Sequence, residues 1–150
     1  MGGSTVVASL VLSDADLDIA VLSLPEAGVA PLALDTGAEP GANIAAVGYP
    51  QDGPYDVQAG RIRSQQRLRS PDIYGEGTVI RQVYSLRALI RPGNSGGPIL
   101  TSAGDVAGMV FAASVSDPDT GYALTANQLT ESAARGVTSG TPVDTGTCVR

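Results

Sequence analysis

The sequence predicts an all-β fold built around a small antiparallel barrel. Three observations predict it: short apolar segments recur at fairly regular spacing, β-branched residues occur within them, and Gly and Pro separate them. The chain has 150 residues, of which 43% are hydrophobic, and this is enough for one domain with a substantial core. Because aromatic residues make up only 4%, we expect Val, Ile, Leu and Ala to fill that core.

Two strands are predicted at the start of the chain, in 5–12 and 19–24, and the acidic turn 13–18 joins them. The following Pro, Gly, Ala and acidic residues are typical of a surface linker. Six apolar segments then predict the strands of the barrel: 43–49, 57–68, 79–90, 98–101, 106–115 and 121–124.

One helix is predicted after the last strand. Thr125 is followed three residues later by Gln128, which is a capping-box pattern, and apolar residues then share one face. Gly136 follows as a stop signal, so we expect the helix to end there.

The charge of the chain limits its partners. A net charge of −6 argues against nucleic-acid binding, which needs clustered basic residues. The acidic residues have no His or Cys partners at ligand spacing, so we expect neither a metal nor another cofactor. The longest nearly apolar stretch, 5–12, is far shorter than the ~20 residues of a membrane span. Residues 1–4 carry no basic residue, so we expect no signal peptide in this chain.

The most informative segment is Gly93-Asn94-Ser95-Gly96-Gly97-Pro98, in which glycines surround a serine. Glycines let the chain turn sharply and leave room for backbone N–H groups to point at one spot, where an oxyanion would form. A serine hydroxyl needs an adjacent base to become a nucleophile at neutral pH, and the chain contains no histidine. The segment therefore predicts a nucleophile whose base is absent from the sequence.

This segment resembles the nucleophile signature of chymotrypsin-fold serine proteases, and Asn94 before the serine is similar to the HtrA branch. The segment 18–22, which begins with Asp18, resembles the part of that branch that carries the catalytic aspartate. Segments 47–50, 71–75 and 121–126 are similar to those of the actinobacterial, membrane-anchored acid-resistance proteases. The resemblance covers nearly the whole chain.

The resemblance implies a chymotrypsin-like double β-barrel. The six-stranded C-terminal barrel would be complete, with its terminal helix, in 41–137, and 1–25 would hold only the last strands of the N-terminal barrel. Residues 26–40 would be the linker and 138–150 a tail. In that family the catalytic histidine lies upstream of the aspartate, so we expect this chain alone to be practically inactive, since losing one triad member costs about 10⁴- to 10⁶-fold in turnover.

The resemblance also implies the roles of the site residues. Ser95 would be the nucleophile, and Asp18 would orient the missing histidine. The oxyanion hole would consist of the N–H groups of Gly93 and Ser95, with Asn94 between them.

The choice of Asp18 leaves alternatives open. Asp14 and Asp16 lie in the same turn, and any of the three can be a capping or solvated turn residue. Asp18 is preferred because it directly precedes the apolar strand, which would fix its position.

The resemblance further implies a substrate pocket without a carboxylate at its floor, which favours a small or medium apolar side chain. An alternative for Phe111 and Tyr122 is that they fill the core. The pocket floor would be Leu89 and Ile90, and its walls Val110, Phe111, Ala112, Ala113, Gly121 and Tyr122.

Partners and location follow from the same resemblance. We expect a peptide or protein substrate, self-association through exposed barrel edges, and an extracytoplasmic location for a full-length relative that is membrane-anchored. The single cysteine, Cys148, is either an incidental free thiol or half of a disulfide whose partner lies outside this sequence. The alternative function is that of a pseudoprotease, which keeps the cleft and binds or scaffolds peptides without cleaving them.

Overall fold

The structure, a computed structural model, describes residues 5–24 and 28–146. The disulfide candidate Cys148 lies outside these residues. The chain divides into two compact units. Of the described residues, the first unit holds 5–24, 28–31, 70–79 and 130–146, and the second holds 32–69 and 80–129.

A two-stranded antiparallel sheet begins the first unit. It consists of β1 (Ser9–Asp14) and β2 (Ile19–Ser23), which pair from Ser9 opposite Ser23 to Asp14 opposite Ile19. A register irregularity between Leu10 and Leu12 interrupts the pairing. The predicted pair of strands is confirmed, although the first begins at Ser9 and not at residue 5.

The second unit contains a closed barrel, with strands in the spatial order β3-β4-β5-β8-β7-β6. This confirms the predicted all-β class and the six-stranded antiparallel barrel. The tip of the long β4–β5 hairpin, 70–79, belongs to the first unit. The strands are β3 (Asn43–Gly48), β4 (Asp56–Pro71), β5 (Thr78–Arg87), β6 (Pro98–Thr101), β7 (Val106–Ala113) and β8 (Thr120–Thr125).

Aliphatic side chains fill most of the barrel core, as the composition predicted. Tyr84 is the exception, since it is fully buried among them and donates a 2.8 Å hydrogen bond from its hydroxyl to the Ala38 carbonyl. Burial raises the pKa of Tyr84, and the negative charge of Asp35 raises it further. The aliphatic members of the core cluster include Ile44, Ile62, Leu86, Ile90, Ile99 and Val110.

Part of the predicted linker runs beside the barrel. Val106 donates its N–H to the Ala33 carbonyl at 2.8 Å, and Asp35 donates to the Val106 carbonyl at 2.9 Å. Leu34 and Val106 form a parallel bridge. These bonds fix the chain just before Ala38, whose carbonyl accepts the hydrogen bond from the Tyr84 hydroxyl.

The helix α1 (Ala126–Ser139) is longer than the sequence predicted. The expected stop at Gly136 is wrong, because the helix continues through it and Gly140 adopts the left-handed φ of +56° that favours glycine. Gly136 serves packing within the first unit instead. A Cβ added there would lie 2.7 Å from Cγ1 of Val21.

The predicted capping box is also wrong. The Thr125 hydroxyl is buried and has no hydrogen-bond partner among the described residues. Gln128 does not reach back to the start of the helix, because its Oε1 accepts a 3.0 Å hydrogen bond from the N–H of Gln82 on β5. In the described part of the chain, no helix is long and apolar enough to cross a membrane.

The turn between β7 and β8 is organised by Asp117. Its carboxylate accepts hydrogen bonds from the Thr120 hydroxyl at 2.7 Å and the Asp119 N–H at 3.0 Å, and it lies 3.7 Å from the Arg63 guanidinium. The Thr120 hydrogen bond, followed by the Asp119 hydrogen bond and the charge of Arg63, lowers the pKa of Asp117. Arg63 therefore stabilises this turn, since its guanidinium also donates a 2.9 Å hydrogen bond to the Thr120 hydroxyl.

The contact of Gly136 with Val21 yields a stability prediction. We expect Gly136→Ala to lower the free energy of unfolding by about 1 kcal/mol, because overpacking costs about 1–3 kcal/mol and the better helix propensity of Ala returns about 1 kcal/mol. Urea unfolding measures the change.

The matched control for Gly136 is the same substitution in a Val21→Ala background, where the methyl has space. There we expect Gly136→Ala to be neutral or stabilising. An equal loss of free energy of unfolding in both backgrounds would contradict the contact between Gly136 and Val21.

The lowered pKa of Asp117 yields a pH prediction. Its contribution to stability is fully present above the ordinary aspartate pKa of about 3.9, and it is lost as the pH falls through the lower pKa of the folded protein. We therefore expect Asp117→Asn to reduce the free energy of unfolding at pH 7 and the difference from the wild type to shrink below about pH 4. Unfolding curves at several pH values test this, with Asp119→Asn as the control from the same turn. A difference that stays constant down to pH 2 would show that the carboxylate charge contributes nothing.

Candidate active site

The segment 91–97 is the second part of the connection between β5 and β6, and it carries Ser95 at an exposed position. Two backbone turns shape it: the Asn94 N–H bonds to the Arg91 carbonyl at 3.0 Å, and the Gly97 N–H bonds to the Asn94 carbonyl at 2.9 Å. Within the second unit no hydrogen bond engages the Ser95 hydroxyl. The Ser95 hydroxyl is therefore exposed, and it does not stabilise the turn through a hydrogen bond.

Strand β7 holds the second half of this turn in place. The Gly96 N–H donates to the Val110 carbonyl at 2.8 Å, and the Val110 N–H donates to the Gly97 carbonyl at 2.9 Å. Because both bonds are to the backbone of a barrel strand, they position the residues that flank Ser95 against a fixed element.

Gly93 holds the first half of the turn in a conformation that other residues rarely adopt. Its φ is +92°, and a Cβ added there would lie 2.9 Å from the Gln51 nitrogen. The neighbouring Pro92 carbonyl accepts a 2.8 Å hydrogen bond from the Gln51 N–H. In a trans peptide the C=O and the N–H point in opposite directions, so the Gly93 N–H points away from Gln51.

The same argument applies to the peptide group between Asn94 and Ser95. The Asn94 carbonyl is directed at the Gly97 N–H, so the Ser95 N–H points the opposite way. Across residues 5–24 and 28–146, neither the Gly93 N–H nor the Ser95 N–H donates a hydrogen bond to the protein. Both residues are exposed, so these two donors are open to a ligand.

Asn94 fixes the turn from beneath. Its side chain is only 1% exposed, and its Oδ1 accepts a 2.9 Å hydrogen bond from the Arg91 N–H. The Arg91 guanidinium lies 3.6 Å from the Asp56 carboxylate at the start of β4, which also accepts a 2.7 Å hydrogen bond from Gln58. The residue before Ser95 is therefore a structural support of the turn.

The predicted pocket floor divides into a buried and an exposed residue. Ile90 is buried in the barrel core, and its side chain packs directly against the backbone of Gly121, where any larger residue would collide with it. Leu89 is exposed and lines a surface cleft of about 460 Å³, together with Arg61 and Arg87. Ser95 does not line this cleft.

The predicted pocket walls contain a bulge that directs an aromatic side chain. The register of β7 against β8 shifts between Val110 and Ala112, which makes Phe111 the extra residue. Its ring lies 6.5 Å from that of Tyr122 at 47°, and both side chains are half-buried. Neither belongs to the buried core cluster, so the alternative that they fill the core is wrong. Ala113 pairs with Gly121 at the end of these strands.

Asp18 lies in the first unit, at the end of the turn between β1 and β2. It is exposed and has a left-handed φ of +59°, and the buried Ile19 follows it. Asp14 is the residue that caps this turn, since its Oδ1 accepts a 3.0 Å hydrogen bond from the Leu17 N–H and its Oδ2 accepts one from Arg135 at 2.8 Å. Asp16 is exposed.

Sequence reasoning missed the residues that support the Ser95 turn. Gln51 supports the turn through its backbone N–H, which bonds to the Pro92 carbonyl, and Asp56 supports it through its ion pair with Arg91. The sequence shows a turn signal at Pro50, but nothing in it shows that this turn meets Pro92.

Comparisons with known proteins agree with these observations. A family model described as a trypsin-like peptidase domain matches residues 1–109. The serine protease Rv3671c of Mycobacterium tuberculosis is 41% identical over 147 residues, which cover 95% of this chain and 36% of that protein. The Do-like serine protease HtrB of Bacillus subtilis is 34% identical over 112 residues, which cover 71% of this chain and 24% of that protein.

Solved structures show the same relationship. The active form of the Rv3671c protease superposes with a TM-score of 0.89 at 39% identity, covering 95% of this chain and 63% of that one. The HtrA-type protease AlgW with a decapeptide gives a TM-score of 0.78 at 27% identity, covering 92% of this chain and 42% of that one. The chain thus spans about a third of the length of its M. tuberculosis relative. Its fold is chymotrypsin-like, and the chain belongs to the trypsin-like peptidase family, with relatives in the HtrA branch.

Proposed function

We propose that this chain is the part of a serine endopeptidase that carries the nucleophile Ser95. One observation carries the proposal: the turn 91–97 exposes the Ser95 hydroxyl beside two N–H groups, of Gly93 and Ser95, that bond to nothing in the described residues. Two such donors are what an oxyanion in acyl transfer requires, and removing one donor typically costs about 10²- to 10³-fold in turnover.

In the proposed reaction, the Ser95 oxygen attacks the scissile carbonyl and its proton passes to a base. The carbonyl oxygen becomes an oxyanion, which the Gly93 and Ser95 N–H groups stabilise. When the intermediate collapses, the departing amine takes the proton and leaves an acyl-enzyme, which water hydrolyses.

The base must come from outside this sequence, because the 150 residues include no histidine. We propose that a longer protein supplies it and that Asp18 orients it. Two features support Asp18: the buried Ile19 fixes its backbone, and Asp14 is already engaged with Leu17 and Arg135.

The proposed specificity is for a small or medium apolar side chain before the scissile bond. Ile90 at the floor of the pocket is buried and apolar, and Phe111 and Tyr122 contribute half-buried rings at the wall. The floor carries no carboxylate to pair with a Lys or Arg side chain. The decapeptide complex of the AlgW relative supports a peptide as the ligand.

A second function, a pseudoprotease that binds peptides, is favoured by the missing histidine. It would use the same turn and pocket without the acyl-transfer step. Self-association and an extracytoplasmic, membrane-anchored full-length protein remain predictions that rest on the resemblance.

Asn94 provides a test of the turn. We expect Asn94→Ala to lower the free energy of unfolding by about 1–3 kcal/mol, because the Arg91 N–H loses its buried acceptor. We also expect weaker binding of peptides that end in a free carboxylate. Urea unfolding and fluorescence anisotropy measure the two effects, with the exposed Ser102→Ala as a control. If Asn94→Ala changed neither the free energy of unfolding nor the affinity for the peptide, Asn94 would not support the Ser95 turn.

The proposed function is tested by labelling the protein recovered from its native source with a serine-reactive fluorophosphonate. We expect an adduct on Ser95 by peptide mapping and none in a Ser95→Ala strain. An adduct that persists in Ser95→Ala would refute the assignment of the nucleophile. Absence of any adduct, with peptide binding retained, would establish the pseudoprotease instead.

A further inference from the structure

An exposed aromatic pair lies beside the Ser95 turn, in the second unit. Tyr49 and Tyr55 are 63% and 57% exposed, and their rings pack edge-to-face with centroids 5.6 Å apart at 64°. Val57, two residues beyond Tyr55, is also exposed. The predicted pocket and turn use none of these three residues, which we call the tyrosine patch. Exposed apolar groups clustered in this way commonly mark a binding surface.

Strand pairing places the tyrosine patch on one defined side of Ser95. Strand β6, which follows the Ser95 turn, pairs with β3 on one side and with β7 on the other. Tyr49 directly continues β3, whereas the predicted pocket walls belong to β7 and β8. The turn therefore lies between the pocket and the tyrosine patch.

Two contacts tie the segment 49–56 to the Ser95 turn. The Gln51 N–H bonds to the Pro92 carbonyl at 2.8 Å, and the Asp56 carboxylate lies 3.6 Å from the Arg91 guanidinium. The segment is sharply bent as well, because Gln51 and Asp52 both have left-handed φ values, +57° and +56°. These contacts attach the segment that carries the two tyrosines to the turn that carries Ser95.

A peptide cleaved at Ser95 has two sides, and only one of them enters the predicted pocket. If the residue before the scissile bond occupies the β7 side, the residues after that bond must pass over the β3 side. We propose that the tyrosine patch is the subsite for the leaving-group side of the substrate and that it takes an apolar or aromatic residue. This inference rests on the proposed function.

The chemistry of the patch defines the ligand. Edge-to-face tyrosine rings offer flat apolar area and, at their edges, hydroxyl groups that stay in water, which suits an aromatic or aliphatic side chain of an extended peptide. Asp52 is exposed in the same segment, and Asp56 is already paired with Arg91. An acidic leaving segment would therefore be repelled.

The experiment measures peptide binding to the chain itself by fluorescence anisotropy, with mass spectrometry confirming that each peptide stays intact. Three labelled peptides share the acyl half Ala-Ala-Pro-Val. One ends there with a free carboxylate, one continues with Phe-Leu-amide, and one continues with Gly-Gly-amide. We expect Phe-Leu to bind about tenfold more tightly than Gly-Gly, as contact with an aromatic pair allows.

Substitutions then assign this preference to the patch. We expect Tyr49→Ala and Tyr55→Ala each to reduce the preference to about twofold and to leave binding of the free-carboxylate peptide unchanged. Tyr74→Ala is the matched control, because Tyr74 is also exposed, at 39%, but lies at the tip of the β4–β5 hairpin. It should keep the full preference.

A second measurement on the unaltered chain does not depend on the folding of any variant. Nitration of exposed tyrosines by tetranitromethane, read by peptide mapping, should be slowed at Tyr49 and Tyr55 by the Phe-Leu peptide and not at Tyr74. A preference that survives in both tyrosine variants, or equal nitration with and without peptide, overturns the subsite.

The outcomes also separate this inference from the proposed function. If the free-carboxylate peptide binds but the tyrosine variants keep the preference, the subsite fails and the function stands. If the free-carboxylate peptide does not bind while Phe-Leu protects the tyrosines, the patch binds peptides and the proposed site fails. If no peptide binds, both are refuted.

Discussion

The arrangement of the candidate site depends on the hydrogen bond between the Gln51 N–H and the Pro92 carbonyl, together with the left-handed conformation of Gly93 that accommodates it. This bond turns one peptide plane so that the Pro92 carbonyl faces Gln51 and the Gly93 N–H faces the opposite way. If the plane were reversed, the carbonyl would face the position where an oxyanion would form, and like charges would repel. The orientation of one peptide group therefore decides whether the turn can stabilise an anion.

The barrel makes that hydrogen bond possible. Gln51 and Pro92 are far apart in the sequence, and they meet because β3 and β6 are neighbours in a closed sheet. The same closure brings Val110 of β7 to the other half of the turn and fixes both halves independently of the serine side chain. Asn94, buried beneath the turn, adds a contact within the segment. A rigid scaffold thus positions an exposed segment, which is how many binding and catalytic loops are held.

Much of the fold could be predicted from the sequence because strands depend on local patterns of apolar residues, and the glycines around Ser95 reveal the turn directly. Features that depend on distant partners could not be predicted. Gly136 lies inside the helix, where a Cβ would collide with Val21, and the side chain of Gln128 bonds to Gln82 instead of closing a capping box. The support from Gln51 likewise depends on the pairing of β3 with β6, and the contact between the Tyr49 and Tyr55 rings depends on the fold of the segment between β3 and β4, neither of which the local pattern specifies.

A crystal structure of this chain with a peptide that ends in a free carboxylate after an apolar residue would test whether the Gly93 and Ser95 N–H groups bind an anion. We expect a carboxylate oxygen about 2.7–3.1 Å from both the Gly93 and the Ser95 nitrogen, with the Pro92 carbonyl still bonded to Gln51. A carboxylate that contacts neither nitrogen, or a Pro92 carbonyl turned toward Ser95, would contradict this expectation.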